Sequence, residues 1–113
     1  MTDARRGELW LVDLGEPVAN EQGWIRPGVV ISADEWNRHA SVVAVLPVTR
    51  TQYDLHTRVE IEPDATNGLD ATSYARCEDI RTVSDKRLVH RIGRVDPVTM
   101  VKVRRALGYF LDA

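Results

Sequence analysis

Between Glu8 and Val95 every apolar run is cut short by Gly, Pro, Asn or Asp within the length of one short strand. Such punctuation excludes long helices from most of the chain and favours short strands joined by turns. Glu8–Leu14 reads as a strand that ends at Gly15, followed by a long loop over Gly15–Ile25. Pro27–Ser32 resumes as a strand, with Pro27 at its start where no ladder donor is needed. Ser32 or Asp34 is the expected cap of a helical turn over Glu35–His39. Ser41–Thr49 is the strongest strand signal, with Pro47 marking an edge or bulge near its end. His56–Glu62 alternates polar and apolar residues, as a strand with one wet face does. Thr72–Cys77 and Asp79–Val83 read as two strand pieces around an acidic pair, so that Arg76 and Glu78 share one face and Cys77 and Asp79 the other. After a short turn over Ser84–Leu88, Val89–Val95 forms a last strand. The helical period appears only after Asp96-Pro97, an Asp cap with Pro at the first helical position. Met100, Val103, Leu107, Phe110 and Leu111 supply the apolar stripe. The expectation is a mainly β chain with α: a small, strongly curved sheet or partial barrel with a C-terminal helix packed on it.

A chain of 113 residues is one domain, residues 1–113, too small to enclose a deep catalytic cavity. A site on its surface or at a subunit interface is expected. Cys77 is the single cysteine, which excludes an intrachain disulfide and cysteine-held zinc and fits a reducing compartment. No apolar leader precedes Glu8, and no apolar run reaches membrane-spanning length, so the working class is cytoplasmic, without membrane attachment. The formal net charge of −2 shows no bias toward nucleic acid. That total conceals a strong asymmetry. Residues 1–75 hold six basic and twelve acidic side chains, whereas residues 76–105 hold nine basic and four acidic. Thirteen of the fifteen basic residues are Arg, whose planar fork of donors suits phosphate and carboxylate and is also favoured by GC-rich coding.

The common metal and nucleotide signals are absent. His39, His56 and His90 match no ligand spacing, and neither a phosphate-cradling Gly loop nor a nucleophile elbow occurs. Cys77 has no His near it in sequence and reads as a buried structural thiol. What remains is polar residues at strand ends and in the long loop. Arg26 precedes a proline, which biases it to an extended backbone, although a lone Arg there also reads as a surface ion pair. Thr49 closes the most apolar strand beside Arg50, where β-propensity alone would also put a Thr. Trp24 is either a stacking residue or a loop anchor in the core, while Trp10 and Trp36 read as core or interface residues.

The run Arg6-Gly7-Glu8-Leu9-Trp10-Leu11-Val12-Asp13-Leu14 resembles the opening of the MazF/PemK toxin family. The same order of elements continues through Glu21-Gln22, Arg26-Pro27-x-Val29-Val30, Asn37-Arg38 and Pro47-Val48-Thr49. It ends with Cys77-x-x-Ile80-Arg81-Thr82 and Arg91-Ile92-Gly93-Arg94-Val95, so it spans essentially the whole chain. The resemblance implies an SH3-like barrel of the MazF/PemK/CcdB type, a homodimer, and the toxin of a type II toxin–antitoxin pair. The implied activity is a sequence-specific endoribonuclease that cleaves single-stranded RNA without metal or other cofactor. The resemblance gives Arg26 and Thr49 catalytic roles and matches Arg76 to a second arginine of the PemK branch. Glu78 stands where that branch commonly has Asp, and Asn20 where it has His before the Glu-Gln pair.

These residue types fit that chemistry. The 2′-OH of RNA attacks the adjacent phosphate, leaving a 2′,3′-cyclic phosphate and a 5′-OH. The enzyme must move two protons and stabilise charge on the phosphorus. Guanidinium groups suit the charge, Thr49 the donation to phosphate, and Glu78 the role of base; the division of proton transfer between Glu78, Arg26 and Arg76 stays open. Asn20 and Gln22 are candidates for base edges, Trp24 for stacking, and Arg50 and Arg81 for phosphate. The implied partners are single-stranded RNA and an antitoxin with an acidic, partly disordered segment that competes for the same arginines. Two alternatives remain at this level: a CcdB-like toxin that binds DNA gyrase, and a catalytically inactive RNA-binding dimer.

Overall fold

A computed structural model describes residues 1–113. In chain order the elements are β1 (Glu8–Asp13), β2 (Ile25–Val30), α1 (Asp34–His39), β3 (Val42–Thr49), β4 (Arg58–Ile61) and β5 (Ser73–Arg76). A 3-10 turn at Cys77–Asp79 leads to β6 (Arg81–Ser84); a second at Asp85–Arg87 leads to β7 (Leu88–Arg94) and α2 (Pro97–Leu111). All strand pairs are antiparallel, in the order β4-β5-β3-β2-β1-β7, with β6 also on β3. The end strands β4 and β7 do not pair with each other. The molecule measures 35 × 33 × 31 Å, so this long sheet is curled into a barrel-like body. The mainly β class and the SH3-like barrel expected above are what the chain adopts.

β3 holds the sheet together because it changes partner along its length. Val42–Val45 pair with Arg81–Ser84 of β6, and Val48-Thr49 pair with Tyr74-Ala75 of β5. Pro47, which has no N–H for a ladder, lies between the two pairings. Alternation then sends Leu46 and Val48 into one core and Val43 and Val45 into another, so β3 is apolar on both faces. The larger core joins Leu9, Val29, Leu46, Val48 and Val59 to Val103 and Ala106 of α2. The smaller gathers Ala4, Val12, Val30, Val43, Val45 and Val83.

Asp96 caps α2, accepting from the Thr99 N–H at 2.7 Å, with Pro97 at the first helical position as expected. The apolar stripe is shorter than expected. Thr99, Val103 and Ala106 are buried, whereas Phe110 and Leu111 are exposed. Phe110 lies one turn past the last buried position, Ala106. The expected cap of α1 is also corrected: Ala33 stands at the cap and no side chain bonds there. The Ser32 hydroxyl instead donates to Asn37 Oδ1 at 2.6 Å and accepts from the Ala44 N–H, while Asp34 accepts from the Arg6 N–H at 2.7 Å. These side chains tie α1 to the sheet and to the N-terminal segment, a task with more donors to satisfy than one helix end.

The Asp64–Asp70 turn docks on β7 at two glycines. Gly68 has φ +71°, and a Cβ there would overlap the Ile92 carbonyl. A Cβ on Gly93 would overlap the backbone of Thr66 and Asn67, where the Arg94 N–H donates to the Thr66 carbonyl at 3.0 Å. We expect Gly93→Ala to cost about 1–3 kcal/mol in urea unfolding, because backbone must move. Gly108→Ala, in the last turn of α2 with only the Ala113 carbonyl at ordinary contact distance, should instead stabilise by up to about 1 kcal/mol. Equal midpoints for the two variants would contradict this reading of the turn.

Candidate active site and nucleic acid interface

Sheet register brings the site together. Val48 pairs with Ala75, and Ala75 with Val59, so these three point together into the larger core. Their strand neighbours Thr49, Arg76 and Arg58 therefore point to the other face. On the other side of β3 the ladder with β2 ends at Gly28 and Pro47, and just beyond it Arg26 and Thr49 line the same cleft. Strand pairing thus converts residues 26, 49, 58 and 76 into neighbours.

Two adjoining clefts open on this face. One, of about 540 Å³, is lined by Gln22, Arg26, Thr49, Arg50, Thr51 and Asp70 among others. The second, of about 430 Å³, is lined by Asn20, Gln22, Thr49, Tyr53, Arg58 and Arg76 among others. Gln22, Thr49 and Thr51 belong to both, so the clefts form one continuous surface. Four arginines face it against a single carboxylate, Asp70. The largest hollow, about 880 Å³ between α2 and β4, is mixed in charge: Glu60, Glu62, Asp64 and Asp96 share its wall with Arg58, Lys102 and Arg105. No group of three or more His, Cys, Asp or Glu is arranged to hold a metal ion, and no helix is long and apolar enough to cross a membrane.

The candidate residues occupy distinct positions on this surface. Arg26 has no carboxylate partner; its Nε–H donates to the Gly23 carbonyl at 3.3 Å, which leaves its terminal nitrogens free. The Thr49 hydroxyl oxygen accepts from the Thr51 N–H at 3.1 Å, so its own proton is free to be donated. Arg76 donates to the Asn20 carbonyl at 3.2 Å, fastening the β1–β2 loop over the second cleft. Arg50 is exposed, 3.9 Å from Asp70. Trp24 is 58% exposed, in a loop position with φ +61°, and is not a core anchor. Trp10 is half-buried, whereas Trp36 lies on the surface rather than in the core. Arg81 is committed: it donates to Asp79 at 2.9 Å and to the Gln22 carbonyl at 2.9 Å, and lines neither cleft. Its work here is to hold the loop that carries Gln22.

The segment around Glu78 departs from the expected strand. Cys77–Asp79 is a 3-10 turn, so two-residue alternation fails and Arg76 approaches both acids, Glu78 at 3.6 Å and Asp79 at 3.8 Å. Cys77 points into the larger core, where burial and then the Glu78 charge push its thiol up to about 12, too high for a nucleophile at neutral pH. Glu78 lines neither cleft. Its Oε2 accepts from the Arg58 Nε–H at 2.7 Å. Arg58 was not singled out in the sequence, where it reads as one polar position of an alternating strand; its partner is twenty residues away.

Burial works against the Glu78 charge, but the hydrogen bond and charge of Arg58 hold its carboxyl below the usual value of 4.5. The stability this confers is present above the unfolded-state value of about 4.3 and is lost as pH falls through the lower folded value. Thermal unfolding followed from pH 7 to pH 3 should therefore show a fall in Tm below about pH 4.5 that is shallower in Glu78→Gln. Parallel curves would remove Glu78 from the acid response.

Residues 5–111 match the family model described as PemK-like, MazF-like toxin of type II toxin-antitoxin system. The chain is 34% identical over 113 residues to endoribonuclease MazF9 of Mycobacterium tuberculosis, covering 96% of each. It is 35% identical over 105 residues to endoribonuclease EndoA of Bacillus subtilis, covering 91% of this chain and 90% of that one. Among solved structures, a mycobacterial endoribonuclease in complex with its cognate antitoxin superposes with a TM-score of 0.81 at 28% identity, over 96% of this chain and 95% of the other. The crystal structure of MazF from Deinococcus radiodurans shares the fold across both whole chains, with a TM-score of 0.85 at 20% identity. The order of motifs from Arg6 to Val95 and the curled sheet agree with these likenesses: the chain belongs to the PemK-like, MazF-like toxin family of type II toxin–antitoxin systems.

Proposed function

We propose that this protein is the toxin of a type II pair and acts in the cytoplasm as a metal-independent, sequence-specific endoribonuclease on single-stranded RNA. The observation that carries the reading is the convergence of Arg26, Arg50, Arg58 and Arg76 on one continuous cleft with a single carboxylate. Such a surface attracts a phosphate backbone despite the overall charge of −2. In the cleavage step the 2′-oxygen forms a bond to phosphorus as the bond to the 5′-oxygen breaks. A base takes the proton of the 2′-OH and an acid protonates the 5′-oxygen, roles that fall to Arg26 and Arg76 because Glu78 lines neither cleft. Arg26 and Arg76 supply charge and donors to the non-bridging oxygens, and Thr49 donates its hydroxyl proton to the same phosphate. Glu78 serves as the buried counter-charge that orients the arginines, since it lines neither cleft.

Asn20, Gln22 and Trp24, all on the loop between β1 and β2, offer base-edge and stacking contacts. Arg50 contributes a phosphate contact at the rim, and Arg81 acts indirectly by fixing the loop. An acidic, partly disordered antitoxin segment would occupy the same arginines and exclude RNA. The active assembly is a homodimer in this reading.

Mixed-sequence single-stranded RNA incubated with the protein and EDTA should yield 2′,3′-cyclic phosphate and 5′-OH ends. A 2′-deoxy nucleotide at the cut should abolish the product. Arg26→Ala should reduce cleavage by about 10²–10³-fold. Thr49→Val should weaken it by about tenfold while leaving the circular dichroism spectrum unchanged. RNA left intact across many sequences would reject the nuclease reading, and poisoning of DNA gyrase by the same preparation would favour the CcdB-like alternative.

A further inference from the structure

Arg58 and Arg76 are direct partners across the β4–β5 ladder, a position where two like charges repel. Both are buried: the Arg58 side chain is 7% exposed and the Arg76 side chain 12%. What makes this pairing tolerable is Glu78, which the 3-10 turn folds back between them. Its Oε2 takes the Arg58 Nε–H at 2.7 Å and stands 3.6 Å from the Arg76 Nε. The Tyr53 ring covers the Arg58 guanidinium at 4.9 Å. The carboxylate is thus shared unequally, held tightly by Arg58 and loosely by Arg76. Arg58 Nη1, Arg76 Nε and Glu78 Oε1 are buried without a hydrogen-bond partner, and both arginines line the second cleft. Arg76 reaches its two carboxylates, Glu78 and Asp79, only at 3.6 and 3.8 Å, so its charge is loosely held beside that cleft.

We propose that Arg58 is a positioning residue for RNA cleavage: by engaging Glu78 it keeps that carboxylate from closing on Arg76, and so holds the Arg76 guanidinium available to the substrate phosphate. This rests on the nuclease reading above, but the structural half of it stands apart from activity. Removing Arg58 leaves a buried carboxylate with one cation in reach. Glu78 then captures Arg76, and the donors needed by the phosphate are turned inward. Removing the Glu78 charge as well relieves the capture. The two substitutions should therefore compensate each other, which independent damage to packing does not do.

The test compares Arg58→Met, Glu78→Gln and the double variant with wild type, in single-turnover cleavage of a defined single-stranded RNA and in arginine side-chain NMR. Arg58→Met should lower the cleavage rate by about 10²-fold through misplacement of Arg76, with RNA affinity changed less. The double variant should recover at least about threefold of that loss. In NMR the Arg76 Nε–Hε signal should shift in Arg58→Met and return toward its wild-type position in the double variant. A double variant no faster than Arg58→Met, or an Arg76 signal unmoved by Arg58→Met, overturns the proposal. Wild-type protein that leaves RNA intact rejects the nuclease reading, and the NMR arm alone then decides the positioning claim. If Arg58→Met does not fold, Arg58→Lys takes its place. It retains the charge without the planar fork and should show a smaller loss with the same direction of rescue by Glu78→Gln.

Discussion

The partner change of β3 is the constraint on which the rest of this molecule depends. One strand serves β2 on one side and, on the other, β6 along its first half and β5 at its end. A sheet built in this way cannot stay flat, because β5 and β6 leave the same strand edge in different directions. The 3-10 turn Cys77–Asp79 spans the gap between them. Curvature, the double-faced core and the position of Glu78 all follow from this junction. Pro47 marks it, as a residue with no N–H to offer either ladder.

The same junction gathers charge that the chain disperses. Arg26 comes from β2, Thr49 from the end of β3, Arg58 from β4 and Arg76 from the end of β5. Thr49, Arg58 and Arg76 are each the strand neighbour of a core residue and are therefore forced onto the opposite face. A buried cluster of Arg58 and Arg76 with Glu78 and Asp79 is a poor device for stability, since desolvation offsets much of the attraction. Its retention beside an open cleft makes sense as preparation for an anion.

Legibility in the sequence followed the range of the interaction. The strand runs, the Asp96-Pro97 helix start and the turn residues act over a few positions, and the structure has them close to where the pattern set them, except that β2 begins at Ile25, so Pro27 lies inside it and not at its start. Arg26 and Thr49 could be singled out because proline and strand ends leave local marks. Arg58 left none, as its meaning depends on Glu78 and on its cross-strand partner Arg76. The face assignment of Arg76 and Glu78 failed for a related reason. Two-residue alternation holds only while the backbone stays extended, and a single 3-10 turn rotates the residues after it. Arg81, which looked free for phosphate, is tied to Asp79 and to a loop carbonyl nearly sixty positions away.

The amino-acid sequence by itself determined the class of fold and the family, because turn residues, alternation and the order of short motifs are local or sequential properties. It also determined the chemistry in stock: many guanidinium groups, one thiol and no metal-ligand spacing. The tertiary structure alone decided which arginines meet, which of them is spoken for, and that Glu78 lies behind the cleft rather than in it. Those outcomes depend on strand register and on the turn of three residues. A net charge of −2 says nothing of either, since electrostatic potential at a cleft is set by where charges converge and not by their sum.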